Sequence, residues 1–275
     1  HGIFAGYKIV YVNTADQSDR GNVTVERDVK DESIDFELTD LRPYTIYQIT
    51  VSPQTLEGDG APSTPIFVHT DDGVPTGFPL NVQGSPMNST ALLVTWQEPP
   101  QEDQNGIITG YQVQFHPQGG GSAGMSTMLV PSSPAELVHL QKFTLYDVNV
   151  AAVNSKGVGP PSPIVTMRTG EDVPAAPPSN ITANNVSSTE LEVIWRPVPQ
   201  KYQNGIVLGY KVMYRRADGE YPIRNVTINN GSQLSHVLKG LKKYGPYDIR
   251  LLAFTVKGEG NVSESVFCRT AEDGE

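Results

Sequence analysis

Few residues in this 275-residue chain have the types and spacing that chemistry requires. Gly120-Gly121-Ser122-Ala123-Gly124 fits the Gly-x-Ser-x-Gly pattern of a serine nucleophile elbow. An elbow needs a strand before the serine, a helix after it, and a histidine and an acid within reach. Here a glycine run precedes Ser122 and the strand-like Thr127-Met128-Leu129-Val130 follows, so the stretch reads as a hairpin loop. The five histidines, His1, His69, His116, His139 and His236, stand singly and make no metal-ligand spacing. The acidic pairs Asp71-Asp72, Glu171-Asp172 and Glu272-Asp273 recur about 100 residues apart. Calcium takes six to eight oxygens, and two carboxylates per cluster are too few, so these read as solvated linker acids. No catalytic, cofactor or metal residue is assigned. The pattern with chemical content is Asn-x-Ser/Thr, the acceptor of N-linked glycans, at Asn22, Asn88, Asn180, Asn185, Asn225, Asn230 and Asn261. With 15 asparagines and a Ser/Thr frequency of roughly one in six, chance supplies about two or three. The excess points to passage through the secretory pathway.

Composition narrows the class. Thirty acidic residues against 20 basic leave a formal charge of −10. Nucleic-acid binding requires a basic face that releases counterions, and no basic cluster is visible in the sequence. No apolar run approaches the 18 or so residues of a membrane span. The single cysteine, Cys268, rules out an internal disulfide framework. It reads as a buried core thiol, with an intermolecular disulfide as the minor alternative. The chain opens on His1 rather than Met and shows no leader-like run, so it is expected to be a portion of a longer polypeptide.

The elements that would position any site come from a repeat. Gly106-Ile-Ile-Thr-Gly110-Tyr111 recurs as Gly205-Ile-Val-Leu-Gly209-Tyr210 and as Gly2-Ile-Phe-Ala-Gly6-Tyr7. Leu-x-x-aromatic-x-x-Tyr, ending at Tyr47, Tyr146 and Tyr247, recurs with a following Gly-x-Gly-x-x-Ser that ends at Ser63, Ser162 and Ser263. The period is near 100 residues, the size of a whole domain rather than of a solenoid repeat. Within each copy apolar residues alternate: Leu92, Val94 and Trp96; Leu191, Val193 and Trp195; Tyr146, Val148, Val150 and Ala152. A period of two marks strands with one buried face. Short strands separated by Gly, Pro and Asn-Gly turns predict an antiparallel sandwich, with no convincing amphipathic helix.

Together these motifs resemble fibronectin type III domains in tandem, over essentially the whole chain. The style is similar to ectodomains of neural adhesion molecules and receptor tyrosine phosphatases of the contactin, sidekick, DSCAM and LAR-like kinds, among which the residues do not choose. The resemblance implies an all-β chain of immunoglobulin-like sandwiches in an extended array. It is expected to divide into a partial domain at 1–71, lacking its first two strands, and full domains at 72–170 and 171–275. The missing strands would leave Tyr7, Ile9 and Tyr11 uncovered unless preceding residues or another chain supply the cover. Trp96, Trp195, Tyr47, Tyr146 and Tyr247 are expected to be structural core, with each corner tyrosine bonding backbone a few residues upstream. Val74-Pro75 and Val173-Pro174 should stiffen the linkers.

The function this implies is that of a non-catalytic extracellular spacer and adhesion segment of a membrane-anchored parent, contacting protein partners homophilically or heterophilically. No nucleic acid, small-molecule substrate or cofactor is expected. The alternatives are a secreted matrix or filament protein, and the ectodomain of a receptor whose enzyme domain lies elsewhere. No Arg-Gly-Asp is present; Arg20-Gly21-Asn22 is a near miss. Five of the seven acceptor asparagines lie in 171–275, so that part should be the most shielded and protein contacts should favour the first two domains.

Overall fold

The computed structural model describes residues 3–26, 33–119 and 124–272. His1 and Ser122 lie outside the described residues, as does Asp273. Among the described residues there are strands and short 3-10 turns but no α-helix.

The alternating stripes make the strands. In the first unit β1 (Phe4–Asn13), β2 (Arg20–Glu26), β3 (Ile46–Thr55), β4 (Gly58–Asp59) and β5 (Ile66–His69) form one antiparallel sheet in the order β2-β1-β3-β4, with β5 also on β3. The second unit has two sheets. One joins β6 (Leu80–Asn88), β7 (Ala91–Gln97) and β10 (Ala135–Leu137). The other joins β8 (Ile108–Pro117), β9 (Ser126–Val130), β11 (Leu145–Asn154), β12 (Gly157–Pro161) and β13 (Val165–Arg168). The third unit repeats this with β14 (Ser179–Ser187), β15 (Glu190–Arg196) and β18 (Ser235–Leu238) facing β16 (Gly209–Arg216), β17 (Arg224–Ile228), β19 (Pro246–Thr255), β20 (Gly258–Glu259) and β21 (Val266–Arg269).

Each sandwich closes over the inward half of its strands. Leu92 and Val94 of β7 meet Val113 of β8 and Val148 and Val150 of β11, all essentially fully buried. Leu191, Val193, Val212, Ile249 and Leu251 are their third-unit counterparts. Trp96 and Trp195 are 6% and 2% exposed, and each meets a tyrosine edge-on: Trp96 with Tyr111 and Trp195 with Tyr210, both at 5.2 Å between ring centroids. Such pairs contribute about 0.5–1.5 kcal/mol beyond the area they bury. Both indole N–H groups are buried with no partner among the described residues, a cost the two cores share.

The first unit differs because no second sheet faces its stripe among the described residues. Ile9 occupies the place of Val113 and Val212, yet it is half-buried where they are fully buried. Tyr7 and Tyr11 are likewise half-buried rather than bare. Ile34 and Phe36, from a segment without strand pairing, line a cleft of about 350 Å³ over Tyr7, Ile9 and Val51.

Cys268 is half-buried at the margin of the third core rather than sealed inside it, and burial raises its thiol pKa. That placement follows from its position on the short strand β21, which pairs on one side with β19.

Candidate functional site: the interdomain junctions

No group of three or more His, Cys, Asp or Glu residues among those described is arranged to hold a metal ion. The polar chemistry concentrates instead where one unit hands over to the next, and it begins at the tyrosine corners. Tyr47, Tyr146 and Tyr247 are buried, and each hydroxyl accepts a backbone N–H five residues upstream: from Arg42 at 3.1 Å, Gln141 at 2.9 Å and Lys242 at 2.8 Å. Tyr47 also donates to Asp19 at 2.6 Å, and burial together with that acceptor raises its pKa.

Between each upstream N–H and its tyrosine the chain turns through a left-handed residue. Tyr44, Phe143 and Tyr244 have φ of 48°, 47° and 47°. Bulky aromatics avoid that region, so something must hold them there. Their N–H groups donate to the carbonyls of Asp71 and Gly170 in the two linkers and of Ala271 just after β21. Their rings are covered from the last strand by His69 edge-on and by the guanidinium groups of Arg168 and Arg269 at 4.8 and 4.5 Å. The hydroxyls of Thr70, Thr169 and Thr270 complete the corner, donating to the carbonyls of Arg42, Gln141 and Lys242. The corner is thus welded to the start of the linker. The threonines were visible in the sequence as a threefold recurrence, but nothing local marked them as clamps.

The downstream unit grips the same linker. Asn105 and Asn204 adopt φ of 51° and 52°, which asparagine tolerates, and turn their side chains back to donate to the carbonyls of Val74 and Val173 at 2.9 and 3.0 Å. Their own carbonyls accept from Gly73 and Asp172 at 2.7 Å each. Asn154 donates to the Gly73 carbonyl at 2.7 Å, and Thr255 to that of Asp172 at 2.9 Å. The linker prolines are buried, and Gly159 and Gly260 make room for them. A Cβ at Gly260 would lie 2.6 Å from the Pro174 carbonyl oxygen, and one at Gly159 would lie 2.8 Å from Pro75. The second glycine of the Gly-x-Gly motif is therefore a contact residue of the junction.

Three of the linker acids, Asp72, Glu171 and Asp172, are engaged rather than free in solvent, which corrects the solvated reading for them, while Asp71 and Glu272 are exposed. Asp72 accepts from Ser155 at 2.9 Å, and Glu171 accepts the Ile206 N–H at 3.1 Å. Asp172 does most. Its carboxylate meets Lys142 Nζ at 2.8 Å and Ser89 Oγ at 2.9 Å, both from the preceding unit, and accepts the Val173 N–H at 2.8 Å. Lys142 and these hydrogen bonds hold its pKa below the usual aspartate value. At the first junction Gly73 stands in its place. The two junctions therefore share a backbone clamp, but among the described residues only the second adds a charged bridge of this kind.

The asparagines of the seven Asn-x-Ser/Thr patterns are all exposed. Asn22 lies on β2 and Asn225 on β17, Asn88 ends β6, Asn180 and Asn185 lie on β14, and Asn230 follows β17. Asn261 sits at the second junction and donates to the Ala175 carbonyl at 2.8 Å.

Comparison with known proteins gives three findings. The family described as Fibronectin type III domain matches residues 1–69, 77–168 and 176–269. Cell adhesion molecule DSCAM of Gallus gallus is 36% identical, covering 98% of this chain and 13% of its own length; its Homo sapiens counterpart is 35% identical, covering 98% and 14%. Cell adhesion molecule DSCAML1 of Gallus gallus is 31% identical over 99% of this chain and 14% of its own. Among solved structures, the chicken CNTN1 FN1-FN3 domains align over 98% of this chain and 90% of theirs, with 25% identity and a TM-score of 0.46. The chain thus spans 13–14% of the length of these curated relatives.

Proposed function

The chain belongs to the fibronectin type III family, and from that premise we propose that it is a non-catalytic spacer and adhesion segment of a cell-surface ectodomain. Its modules, at 1–71, 72–170 and 171–275, space one another outside the cell and meet protein partners through loops and sheet faces. The observation that carries this reading is the pair of clamped junctions: each linker is hydrogen-bonded by the unit before it and the unit after it. A polypeptide that only displayed independent domains would gain nothing from ordering its linkers. A spacer gains a defined reach, and rigid linkage raises the effective concentration of neighbouring modules at a multivalent contact.

The names of the relatives, cell adhesion molecules, support the adhesive and extracellular parts of the proposal. Exposure of all seven acceptor asparagines supports N-linked glycans at Asn22, Asn88, Asn180, Asn185, Asn225, Asn230 and Asn261. With five of these in 171–275, partner contacts belong mainly to the first two modules. The test is the glycosylated chain from secreting cells, measured by small-angle scattering and by aggregation of coated beads. An elongated profile and bead clustering, alone or with beads bearing a partner ectodomain, are expected. A compact globular profile, or beads that cluster neither alone nor with beads bearing a partner ectodomain, defeats the reading.

A further inference from the structure

The third module carries a cleft that the spacer role does not use. It measures about 320 Å³, near the lower end of the roughly 300–1,000 Å³ typical of ligand sites. Met213, Ile223 and Val262 form its apolar part, and Arg215, Asp248 and Arg250 its polar part. It lies on the outer face of the sheet, because Val212, Ile249 and Leu251, the neighbours of these residues along their strands, fill the core. Asp248 is unusual there. Its side chain is only 8% exposed, yet Oδ1 has no hydrogen-bond partner among the described residues. Arg250 Nε stands 3.6 Å from it and is already donating to Ser265 Oγ at 2.8 Å, while Arg215 Nε lies 3.5 Å from Oδ2. A buried carboxylate oxygen without a donor is costly, and a ligand O–H or N–H would relieve that cost.

The cross-strand register brings a candidate donor to this place. Met213 of β16 is opposite Arg250 of β19 on one side and Asn225 of β17 on the other. Arg215 is opposite Asp248 in the adjoining row. Paired residues share a face, so Asn225, Met213 and Arg250 form one row, and two strand spacings of about 4.8 Å place its ends about 10 Å apart. Asn225 is exposed at the open edge of that row.

We propose that this cleft is a docking site for the glycan carried by Asn225, whose core N-acetylglucosamines lie across Met213 with their hydroxyl and amide groups on Asp248 and the two arginines. The chemistry suits a sugar: a carboxylate to accept from hydroxyls, guanidinium groups to donate to ring and acetyl oxygens, and aliphatic side chains under the C–H face. A glycan laid along the sheet covers the edge strand β17, an edge that otherwise invites pairing with another chain. The first module supplies an internal control. Asn22 holds the matching position, opposite Val10, which is opposite Thr50, and the adjoining pair there is Val12 and Gln48, so neither row offers the counterpart of the Arg215–Asp248 pair.

The inference rests on reading Asn225 as a glycan acceptor, and one experiment separates the two claims. The folded, glycosylated chain is treated with an endoglycosidase that cuts between the two core sugars, and trimming is followed at each site by mass spectrometry. Asn225 is expected to be trimmed about tenfold more slowly than Asn22, the scale of one or two net hydrogen bonds. Asp248→Ala and Arg215→Ala should each bring Asn225 towards the Asn22 rate while leaving Asn180, Asn185 and Asn261 unchanged. If Asp248→Ala speeds all third-module sites it has unfolded the module, and Arg215→Ala then decides. Equal wild-type rates at an occupied Asn225, or protection that survives both substitutions, overturns the docking site. An Asn225 peptide without glycan overturns the acceptor reading and the docking site with it.

Discussion

Replacing Asp172 with alanine should loosen the second junction without unfolding either module. The side chain makes an ion pair with Lys142, a hydrogen bond from Ser89 and one from the Val173 N–H. The ion pair is partly exposed, at 40% and 30% for its two side chains, so it is worth about 0–1 kcal/mol. The Ser89 bond adds about 0.5–1.5 kcal/mol. The backbone clamp through Asn204 and Thr255 survives. A loss of about 1–2 kcal/mol raises the population of unclamped interdomain arrangements roughly five- to thirtyfold. The assay is a distance distribution between spin labels on the second and third modules, in a Cys268→Ser background. The distribution should broaden in Asp172→Ala. It should broaden less in Asp172→Asn, which keeps an acceptor for Ser89 and loses only the charge. The wild-type junction should respond to acid with a definite sign. The carboxyl pKa is held below its free value of 3.8, so its contribution is complete above that pH and is lost as the pH falls through the lowered value. Unchanged distributions in both variants, with module melting intact, would refute the account of Asp172 as a bridge.

Other outcomes follow from the same contacts. Trp195→Ala should cost the third module about 3–5 kcal/mol, and Trp96→Ala the second, each removing one calorimetric transition while leaving the other in place. Gly260→Ala drives a Cβ against the Pro174 carbonyl and should destabilise the third module and its junction by about 1–3 kcal/mol in denaturant titrations. Burial, with Glu98 nearby, raises the Tyr111 phenol pKa to about 12. Because the unfolded chain releases that proton near 10, second-module stability should decline between pH 10 and about 12, with phenolate absorbance of Tyr111 appearing only at the end of that range.

The sequence carried the fold a long way, because strand faces are a local code. Leu92-Leu-Val-Thr-Trp96 states by alternation alone which side chains go inside, and three copies of the same motifs announce three modules of one kind. The Asn-x-Ser/Thr pattern is equally legible, since it spans three residues. What escaped is whatever depends on partners distant in the chain. Asp172 looked like a solvated acid because Ser89 is 83 residues away, and only the abutment of two modules brings them together. The left-handed turns at Tyr44, Phe143 and Tyr244 are invisible to an alternation argument, since tertiary contacts to distant carbonyls and the last strand impose them. The row from Asn225 through Met213 to Arg250 exists because antiparallel register sets those three side by side. A period of two says which face a residue takes; which residue of another strand or module shares that place is set by pairing and packing across long stretches of chain.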